Sequence, residues 1–401
     1  MTQVPEGRPS SRAHSEAPRR LAYFTEHRAE IVSTIRELVE IESPSDNKAA
    51  VDRIADAVAQ KFSQLGGEVR IHPAKDFGNH LQVDFPGNSA AKPVLLLGHY
   101  DTVYPLGTLA IMPCRVVDNK LTGPGVLDMK SGIALMLHTL AALQQWHGTL
   151  PRPVSVFLVS DEEVGSDSSR AITEALAKKA AAVLVLEPSY GFQGAVKTAR
   201  KGVGEYRVKV TGKASHAGLD FQKGVNAILE LARQIEKLSS FTNLKKGLTV
   251  NVGIVSGGSR TNVVPAEASA QVDVRIARMK DAAGIDKKMR SLRPFNRKCK
   301  IEITGGINRP PMERTAGVAA LYAQAVAIAR DLGWKLGEAA VGGGSDGNFT
   351  AGLGIPTLDG LGGVGDGAHA PHEHILISEL PRRAALLASL IERVGSRPGT
   401  L

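Results

Sequence analysis

Acidic and histidine residues follow three apolar stretches of this sequence. Each stretch has the short, aliphatic character typical of a buried strand. The stretches and the polar residues after them are 94–97 with His99 and Asp101, 154–159 with Asp161, Glu162 and Glu163, and 183–186 with Glu187. An isolated Asp-Glu-Glu is usually a solvated turn, but the carboxyl ends of parallel strands meet at one edge of a sheet. The recurrence therefore favours a metal site, because adjacent carboxylates repel one another unless cations hold them.

Two further segments contain residues of the same kinds. Asp128 lies in the glycine-containing loop 122–132, where glycine permits a tight backbone turn. Segment 365–374 follows a predicted strand and contains His369, His372 and His374. The His-x-Asp spacing of His99 and Asp101 suits a metal ligand and a carboxylate that orients its imidazole. A structural histidine at the strand end is the equal alternative for His99.

The elements that position these residues follow from hydrophobic periodicity. Residues 21–65 have apolar positions at helix spacing, and strand-like segments follow at 68–72 and 80–85. Strand and helix patterns then alternate as far as Glu187. This alternation predicts an α/β fold, with a mostly parallel sheet and helices on both of its faces.

Residues 201–308 follow a different pattern. Their strand and helix segments succeed one another in the βαββαβ order of a ferredoxin-like α+β unit. The α/β pattern resumes afterwards, with helices predicted at 316–332 and 380–394. We therefore expect a disordered tail at 1–20, a first domain in two parts at 21–200 and 309–401, and an inserted domain at 201–308.

Composition narrows the class of function. The chain has 401 residues, a formal charge of +9 and 4% aromatic residues, without the basic-aromatic alternation of nucleic-acid-binding proteins. No apolar run approaches the roughly 20 residues of a membrane span, and residues 1–20 lack the apolar core of a secretory signal. Cys114 and Cys299 lie far apart, which indicates two thiols in a reducing cytosol. We expect a cytoplasmic protein that binds neither nucleic acid nor membranes. Its positive charge indicates an ordinary solvated surface, with a preference for small acidic substrates as the functional alternative.

An ordered set of motifs carries a resemblance to a known family. The motifs are GHYDTV at 98–103, GPGVLDMKSG at 123–132, DEEVGS at 161–166, EP at 187–188, SHAG at 215–218 and GAH at 367–369. They resemble those of the di-zinc metallopeptidases and aminoacylases, a group that includes glutamate carboxypeptidases, succinyl-diaminopimelate desuccinylases and acetylornithine deacetylases. The resemblance extends from about residue 21 to the end of the chain. It is strongest to the carboxypeptidase G type, which cleaves C-terminal glutamate from folates and other acyl-glutamates.

The resemblance implies a zinc-peptidase-like fold and two zinc ions per subunit, with cobalt or manganese as possible substitutes. Asp128 is expected to bridge the ions. The other ligands are expected to be His99 and Glu187 for one ion, and Glu163 and His369 for the other. Glu162 corresponds to the general base, and Asp101 to the residue that orients His99. Without cations the ligand carboxylates would form an unpaired buried charge, which proteins avoid.

The resemblance also assigns roles in the inserted domain. His216 corresponds to a residue that polarises the scissile carbonyl and enters the active site of the partner subunit in a homodimer formed through the inserted domain. The substrate-binding positions of the family match Asn262, Arg275, Arg309, Gly344 and Ser345. A bidentate arginine suits a substrate carboxylate. For Arg275 an ordinary sheet-surface arginine is an almost equal alternative, and the spacing around Arg309 differs slightly from the family pattern.

The sequence therefore predicts a zinc-dependent hydrolase that releases C-terminal glutamate, or a similar amino acid, from a small acyl or peptidyl substrate. An N-acyl-amino-acid deacylase is the alternative, because it uses the same metal site with a different pocket. A non-catalytic binding protein is disfavoured by the presence of every ligand position and of Glu162.

Two literal motif matches are discounted. Segment 343–347 fits the G-x-S-x-G of serine hydrolases, but no clear apolar strand precedes it and no helix is expected directly after it. Segment 360–365 fits the dinucleotide fingerprint but is followed by Asp366 and His369, where a helix would have to begin.

Overall fold

The structure, a computed structural model, describes residues 16–394. Its contacts divide the chain into two compact units. In its described part, the first unit comprises residues 16–198, Arg314–Ala339 and 345–394, and the second comprises Ala199–Glu313 and Ala340–Gly344. The predicted insertion at 201–308 lies within the second unit. That unit extends a few residues further at both ends and includes a short return segment that the sequence pattern did not indicate.

The predicted tail, residues 1–20, lies mostly outside the described residues. Its last residues are helical, because helix α1 begins at Glu16. Arg20 is buried; its guanidinium donates to Ser389 Oγ at 2.9 Å and pairs with the Glu392 carboxylate at 2.6 Å. The predicted boundary at residue 20 is therefore too late, since polar composition does not reveal that Arg20 has partners at the other end of the chain.

The described residues of both units include the following α-helices, numbered in chain order. Their bounds are α1 Glu16–Glu26, α2 Arg28–Val39, α3 Lys48–Gln64, α4 Thr108–Ile111, α5 Ser131–His147, α6 Arg170–Lys179, α7 Ala227–Ser239, α8 Ala282–Arg290, α9 Ala316–Asp331, α10 Gly347–Gly352 and α11 Leu380–Arg393. Side-chain caps begin several of them: Asn47 Oδ1 accepts the Ala50 N–H at the start of α3, and Asn226 Oδ1 accepts the Leu229 N–H at the start of α7.

The strands complete the set of elements. Their bounds are β1 Glu68–His72, β2 His80–Phe85, β3 Val94–His99, β4 Arg115–Val117, β5 Lys120–Thr122, β6 Val154–Val159, β7 Ala182–Val185, β8 Val196–Arg200, β9 Gly202–Thr211, β10 Ser215–His216, β11 Thr249–Gly257, β12 Val263–Val264, β13 Glu267–Ile276, β14 Lys300–Arg309, β15 Glu338–Val341, β16 Thr357–Leu358, β17 Gly365–Asp366 and β18 His374–Leu376. The predicted strands at 68–72 and 80–85 coincide with β1 and β2.

The first unit is built on a six-stranded sheet in the order β1-β2-β6-β3-β7-β16. Strands β6, β3, β7 and β16 are parallel to one another, whereas β2 is antiparallel to both of its neighbours. On β3, Leu96 joins a core formed with helices α1, α2, α3, α5, α9 and α11. Leu95 and Leu97 join a second core with Ala177 of α6 on the opposite face. The predicted mostly parallel sheet with helices on both faces is therefore confirmed.

Helix α5 is the most apolar of the described helices in the first unit. Among the described residues, the stretch Val126–His147 is long and apolar enough, by length and composition, to cross a membrane. Its most apolar window is 83% buried, because α5 packs against β3, α2 and α11. Burial on all sides is typical of a core helix, which explains why its apolar residues are not confined to one face.

The second unit has the ferredoxin-like topology. Its four-stranded antiparallel sheet has the order β11-β13-β9-β14. Alternate residues of β9, such as Tyr206, Val208 and Val210, form a core with apolar residues of α7 and α8. Strand β11 lies at one edge of this sheet, and most of its second half is exposed, including Ile254 and Val255.

Candidate metal centre

Three parallel strands bring the predicted residues to one edge of the sheet in the first unit. Strands β6, β3 and β7 are neighbours. His99 ends β3, Glu162 and Glu163 follow the end of β6, and Glu187 follows the end of β7. The carboxyl ends of parallel strands are where open α/β sheets place their functional residues. Chain direction alone therefore gathers these four side chains.

A second, smaller sheet contributes the remaining residues. Its strand order is β17-β18-β5-β4. Residue Thr122 at the end of β5 pairs with His374 of β18, so the loop after β5 lies beside the loop between β17 and β18. The first loop contains Asp128 and the second contains His369. His369 has a positive φ of 63°, a left-handed conformation that is uncommon outside glycine and often found at functional sites.

The carboxylate of Asp128 lies between the two histidines. Its Oδ1 is 3.1 Å from His99 Nε2, and its Oδ2 is 3.5 Å from His369 Nε2. His99 Nε2 is also 3.5 Å from Glu187 Oε1, and His369 Nε2 is 3.1 Å from Glu163 Oε1. Each histidine therefore faces one oxygen of Asp128 and one glutamate, which is the arrangement expected of two adjacent sites that share Asp128.

The donor atoms form two overlapping groups. In each group the potential ligand atoms lie within 4.8 Å of one another: His99 with Asp128 and Glu163, and His99 with Glu162 and Glu187. Imidazole nitrogens together with carboxylate oxygens are a donor set that divalent zinc, cobalt and manganese accept. The residues present therefore fit a divalent metal. Glu162 lies close enough to His99 and Glu187 to act on a molecule held there.

Asp101 orients His99 in a way that the sequence only partly indicated. His99 Nδ1 is 3.0 Å from the backbone carbonyl oxygen of Asp101 and 3.4 Å from its carboxylate. The shorter contact makes the carbonyl the hydrogen-bond acceptor, and the carboxylate acts through its charge. That carboxylate accepts the N–H groups of Glu162 and Glu163, at 3.3 and 3.2 Å, and the Ser45 hydroxyl at 2.7 Å. Asp101 thus ties the end of β3 to the loop after β6.

The three consecutive acids after β6 serve two purposes. Asp161 is fully buried, and its carboxylate accepts Ser168 N–H, Ser168 Oγ–H and Ser169 Oγ–H at 2.8, 2.7 and 2.6 Å. These donors replace the water that a buried carboxylate loses. Glu162 and Glu163 instead belong to the two groups of potential metal ligands. The acidic cluster is therefore divided between one structural residue and two site residues.

The pKa values of the histidines reflect the surrounding carboxylates. Burial lowers the pKa of His99, but hydrogen bonds to Asp101, Asp128 and Glu187 outweigh burial and hold that pKa well above its usual value. Hydrogen bonds to Asp128 and Glu163 raise the pKa of His369 to about 10. The His369 imidazole therefore carries a proton on each ring nitrogen at neutral pH when no cation is bound, and a metal must displace one of these protons to coordinate.

Glu373 is a residue of this centre that the sequence reasoning missed. It is fully buried, and its carboxylate accepts the backbone N–H groups of Gly125, Leu127 and Asp128. The available signal was its position in the histidine-containing segment shortly after His369. His374, also in this segment, is buried in β18 with its Nδ1 2.9 Å from the His372 carbonyl oxygen.

In the second unit the structure brings His216 and Asn262 together. Strand β10 pairs with β12, with His216 opposite Val263, and Ala217 N–H donates to the Asn262 carbonyl oxygen at 2.9 Å. His216 is exposed, and its Nδ1 accepts the N–H groups of Gly218 and Leu219 at 3.1 Å each. Because Nδ1 accepts, the proton of a neutral His216 resides on Nε2.

The two predicted substrate-binding arginines lie across one strand from each other. Arg275 of β13 and Arg309 of β14 are both opposite Val203 of β9. The Arg275 guanidinium pairs with the Asp273 carboxylate, with Nη2 to Oδ2 at 2.8 Å, and Arg309 is buried. The charge of Arg275 therefore has a partner in its own strand. This agrees with the alternative that it is an ordinary sheet arginine.

Ser345 and Gly344 have structural contacts. The Ser345 hydroxyl is fully buried and donates to the Asp359 carboxylate at 2.6 Å, while the Gly344 carbonyl accepts from Arg200 at 3.0 Å. The expectation that this segment lacks a flanking strand and helix is wrong, because β15 precedes it and α10 follows it directly. Burial of the Ser345 oxygen still argues against a serine nucleophile, since a substrate carbonyl cannot reach it.

Comparison with known proteins identifies a family that matches most of the chain. Residues 95–393 match the model of Peptidase family M20/M25/M40. Carboxypeptidase G2 from Pseudomonas sp. (strain RS-16) is 32% identical over 383 residues, which covers 93% of this chain and 91% of that relative.

Solved structures share the fold along most of the chain. An M20 family metallo-carboxypeptidase, Sso-CP2 from Sulfolobus solfataricus, has a TM-score of 0.73 at 17% identity and covers 90% of this chain and 98% of its own. YXEP from Bacillus subtilis, a dinuclear metal binding peptidase from the M20 family, has a TM-score of 0.68 at 16% identity and covers 92% and 99%.

Proposed function

The chain belongs to Peptidase family M20/M25/M40 and is a metallopeptidase that hydrolyses amide bonds, and from this premise we propose that it is a two-zinc carboxypeptidase. We propose that it releases C-terminal glutamate, or a similar amino acid, from a small acyl or peptidyl substrate. The observation that carries the proposal is the Asp128 carboxylate, whose two oxygens face His99 at 3.1 Å and His369 at 3.5 Å. A carboxylate in this position suits a bridge between two cations.

The proposed ligands form two sets, because each histidine lies close to a different glutamate. His99 and Glu187 would hold one zinc ion, Glu163 and His369 the other, and Asp128 would contribute to both. The bound ions supply Lewis acidity and lower the pKa of water at the site to about 7. Three carboxylates neutralise most of the charge of two divalent cations, which makes the cluster compatible with partial burial.

Glu162 is the proposed general base. Its carboxylate lies within 4.8 Å of the donor atoms of His99 and Glu187, and its N–H is held by Asp101. From this position it would take a proton from the attacking water and deliver it to the leaving amine. Asp101 keeps both His99 and Glu162 in place, because it contacts each of them.

His216 is the proposed donor to the scissile carbonyl. With Nδ1 occupied by two backbone N–H groups, a neutral His216 presents Nε2–H as a donor. Such a donor stabilises the negative charge that develops on a carbonyl oxygen during amide hydrolysis. We propose that His216 acts in the active site of a partner subunit, with Asn262 beside it as a substrate contact.

A homodimer through the second unit is part of the proposal. Strand β11 is an edge strand with exposed Ile254 and Val255, and the adjacent helix α7 exposes Ile228 and Leu229. An exposed edge with apolar neighbours favours strand pairing with a second copy. A cytoplasmic location is also proposed, since Cys114 and Cys299 are both free thiols, as expected in a reducing compartment.

The substrate is proposed to carry a free carboxylate. The similarity to carboxypeptidase G2 supports this class. In the second unit Lys and Arg outnumber Asp and Glu about two to one, which attracts acidic molecules. The candidate residues for this carboxylate are Arg309, which is buried, and Arg275, which also pairs with Asp273.

The experiment combines metal removal with one substitution. Chelation should abolish hydrolysis of an acyl-glutamate, and added zinc or cobalt should restore it. Glu162→Gln should retain both ions, measured by elemental analysis, while kcat falls about 100-fold to 10,000-fold because the base is lost. The matched control is Glu68→Gln on β1, an exposed glutamate whose change should leave kcat unaltered.

The same preparation tests the alternative substrate class. Acyl-glutamates, acetyl-amino acids and dipeptides should be compared at equal concentration with added zinc. Preferred release of glutamate supports the carboxypeptidase, whereas preferred deacetylation would identify an N-acyl-amino-acid deacylase. Full activity after chelation, or in the Glu162→Gln enzyme, would contradict the proposed mechanism itself.

A further inference from the structure

Glu373 has a buried carboxylate close to the proposed ligand set but outside it. Its side chain is fully buried, although an ionised carboxylate normally requires water or a close partner. Its Oε1 accepts Leu127 N–H at 2.7 Å and Asp128 N–H at 2.9 Å, and its Oε2 accepts Gly125 N–H at 3.0 Å. Both oxygens are therefore engaged by backbone donors of one loop, which leaves Glu373 unsuited to be a metal ligand.

The three N–H donors belong to the loop that carries Asp128, the residue whose carboxylate faces both histidines. Gly125, with a positive φ of 71°, begins the turn that leads to Asp128. The N–H groups of Leu127 and Asp128 are the two backbone donors directly before the Cα atom from which the Asp128 carboxylate extends. A charge-assisted hydrogen bond to each of them fixes the backbone there more firmly than a neutral acceptor would.

Glu373 belongs at the same time to the loop of the second histidine. Its own N–H donates to the Ala370 carbonyl oxygen at 3.0 Å, and Ala370 N–H donates to Gly367 O at 2.8 Å. The Tyr104 hydroxyl also donates to the Ala370 carbonyl, at 3.1 Å. These bonds hold the tight turn that carries His369. One side chain therefore connects the backbone of Asp128 to the backbone of His369.

We propose that Glu373 is a positioning residue that sets the separation between Asp128 and His369, and thereby the affinity of the site formed by Asp128, Glu163 and His369 for its cation. The inference rests on the proposed metal centre. The relevant distance is the 3.5 Å between Asp128 Oδ2 and His369 Nε2, since both groups must reach one ion. Replacing a residue that orients metal ligands typically lowers metal affinity or activity about 10-fold to 100-fold.

The test is a zinc titration of Glu373→Gln by calorimetry. Glutamine keeps the shape but replaces one acceptor oxygen with an NH2 group that faces a backbone N–H. We expect one of the two zinc ions to bind about 10-fold to 100-fold more weakly, while the other keeps its affinity. In the cobalt-loaded protein, the visible absorption of one site should change, which a purely structural role would not cause.

Glu230 in the second unit provides a matched control. It is also buried and accepts three donors: Phe295 N–H at 3.0 Å, Asn296 N–H at 2.9 Å and Gln234 Nε2–H at 2.7 Å. Glu230→Gln should lower thermal stability without altering zinc affinity or the cobalt spectrum. If Glu373→Gln cannot be purified folded, Glu373→Asp serves instead, because it keeps the charge but withdraws it by one methylene; it should weaken the same single ion, while Glu230→Asp should not.

The outcomes separate this inference from the proposed function. Wild-type affinity and spectrum in a folded Glu373 variant, with only its stability reduced, would overturn the positioning role. A wild-type protein that binds no divalent cation would overturn the metal centre itself, and the inference with it. Weakening of one ion in the Glu373 variants and of none in the Glu230 variants supports the proposal.

Discussion

At the scale of single residues, neighbouring carboxylates raise the pKa of each histidine in the metal centre. Hydrogen bonds to Asp128 and Glu163 raise the pKa of His369 to about 10, and three carboxylates keep the pKa of the buried His99 well above its usual value. Burial raises the pKa of Asp128, but hydrogen bonds to His369 and His99 outweigh it and keep the carboxylate ionised. The charged groups of the centre thus stabilise one another by pairing.

This pairing predicts a pH dependence of metal binding. The raised pKa means that His369 is protonated below about pH 10 in the metal-free protein, and zinc must displace that proton. Apparent zinc affinity should therefore rise with pH through neutrality, by about tenfold per pH unit for each proton displaced. Calorimetry in buffers of different ionisation enthalpy should detect the released protons.

A histidine outside the centre provides the control for proton release. His147 at the end of α5 pairs with Glu392 of α11, at 2.7 Å. His147→Ala should release the same number of protons as the wild type. A binding enthalpy that is independent of the buffer would show that the histidines are already neutral and that the inferred pairing is wrong.

At the scale of elements, the contact between helix α5 and the end of β7 positions Glu187. Gly132 lies in the first turn of α5, and a Cβ atom there would be 2.2 Å from the Leu186 carbonyl oxygen. Leu186 directly precedes Glu187. Helix and strand can approach this closely only because residue 132 has no side chain.

Gly132→Ala should therefore disturb both stability and the metal centre. The added methyl group must push α5 away or displace Leu186, at a cost of about 1–3 kcal/mol, as for other overpacked cores. Urea denaturation should show the loss of stability, and zinc affinity should fall because Glu187 moves with Leu186. Unchanged zinc affinity in a destabilised protein would mean that the strand end absorbs the methyl group without moving Glu187.

Gly284 provides the control for this substitution. It lies within helix α8, and a Cβ atom there has no neighbour within 4 Å. Gly284→Ala should raise the free energy of unfolding by about 0.5–1 kcal/mol, because alanine restricts the unfolded chain and favours helix. Opposite signs for the two Gly→Ala changes would separate steric conflict from helix propensity.

At the scale of the whole molecule, the proposed function requires two chains. His216 and Glu162 belong to different units, and the proposal places His216 in the partner's active site. Glu162→Gln and His216→Ala homodimers should each be nearly inactive. In a heterodimer of the two, one site carries both substitutions and the other carries neither.

Co-expression of the two variants should therefore restore activity. If subunits mix at random, half of the dimers gain one intact site of two, and activity should return to about a quarter of the wild-type value. Kinetics on isolated heterodimers, whose two chains carry different tags, measures this directly. The control is a dimer of two Glu162→Gln chains that carry the same two tags. Continued inactivity of the mixed heterodimer would show that His216 acts within its own chain.

The sequence by itself predicted the parallel strands that lead to the metal centre and the polar residues that follow them. Short apolar runs predict buried strands, and the polar residues after them lie at the strand ends because chain direction places them there. For this reason His99, Glu162, Glu163 and Glu187 could be located without coordinates.

Only the tertiary structure decided which of these groups face one another and which are satisfied elsewhere. The pairing of β5 with β18 brings Asp128 beside His369, although the two are far apart in sequence. Likewise, hydrogen bonds from Ser168 and Ser169 make Asp161 structural, and Asp273 occupies Arg275. A periodic pattern reports which side of an element is buried, whereas the partner of a buried polar group depends on packing between distant segments.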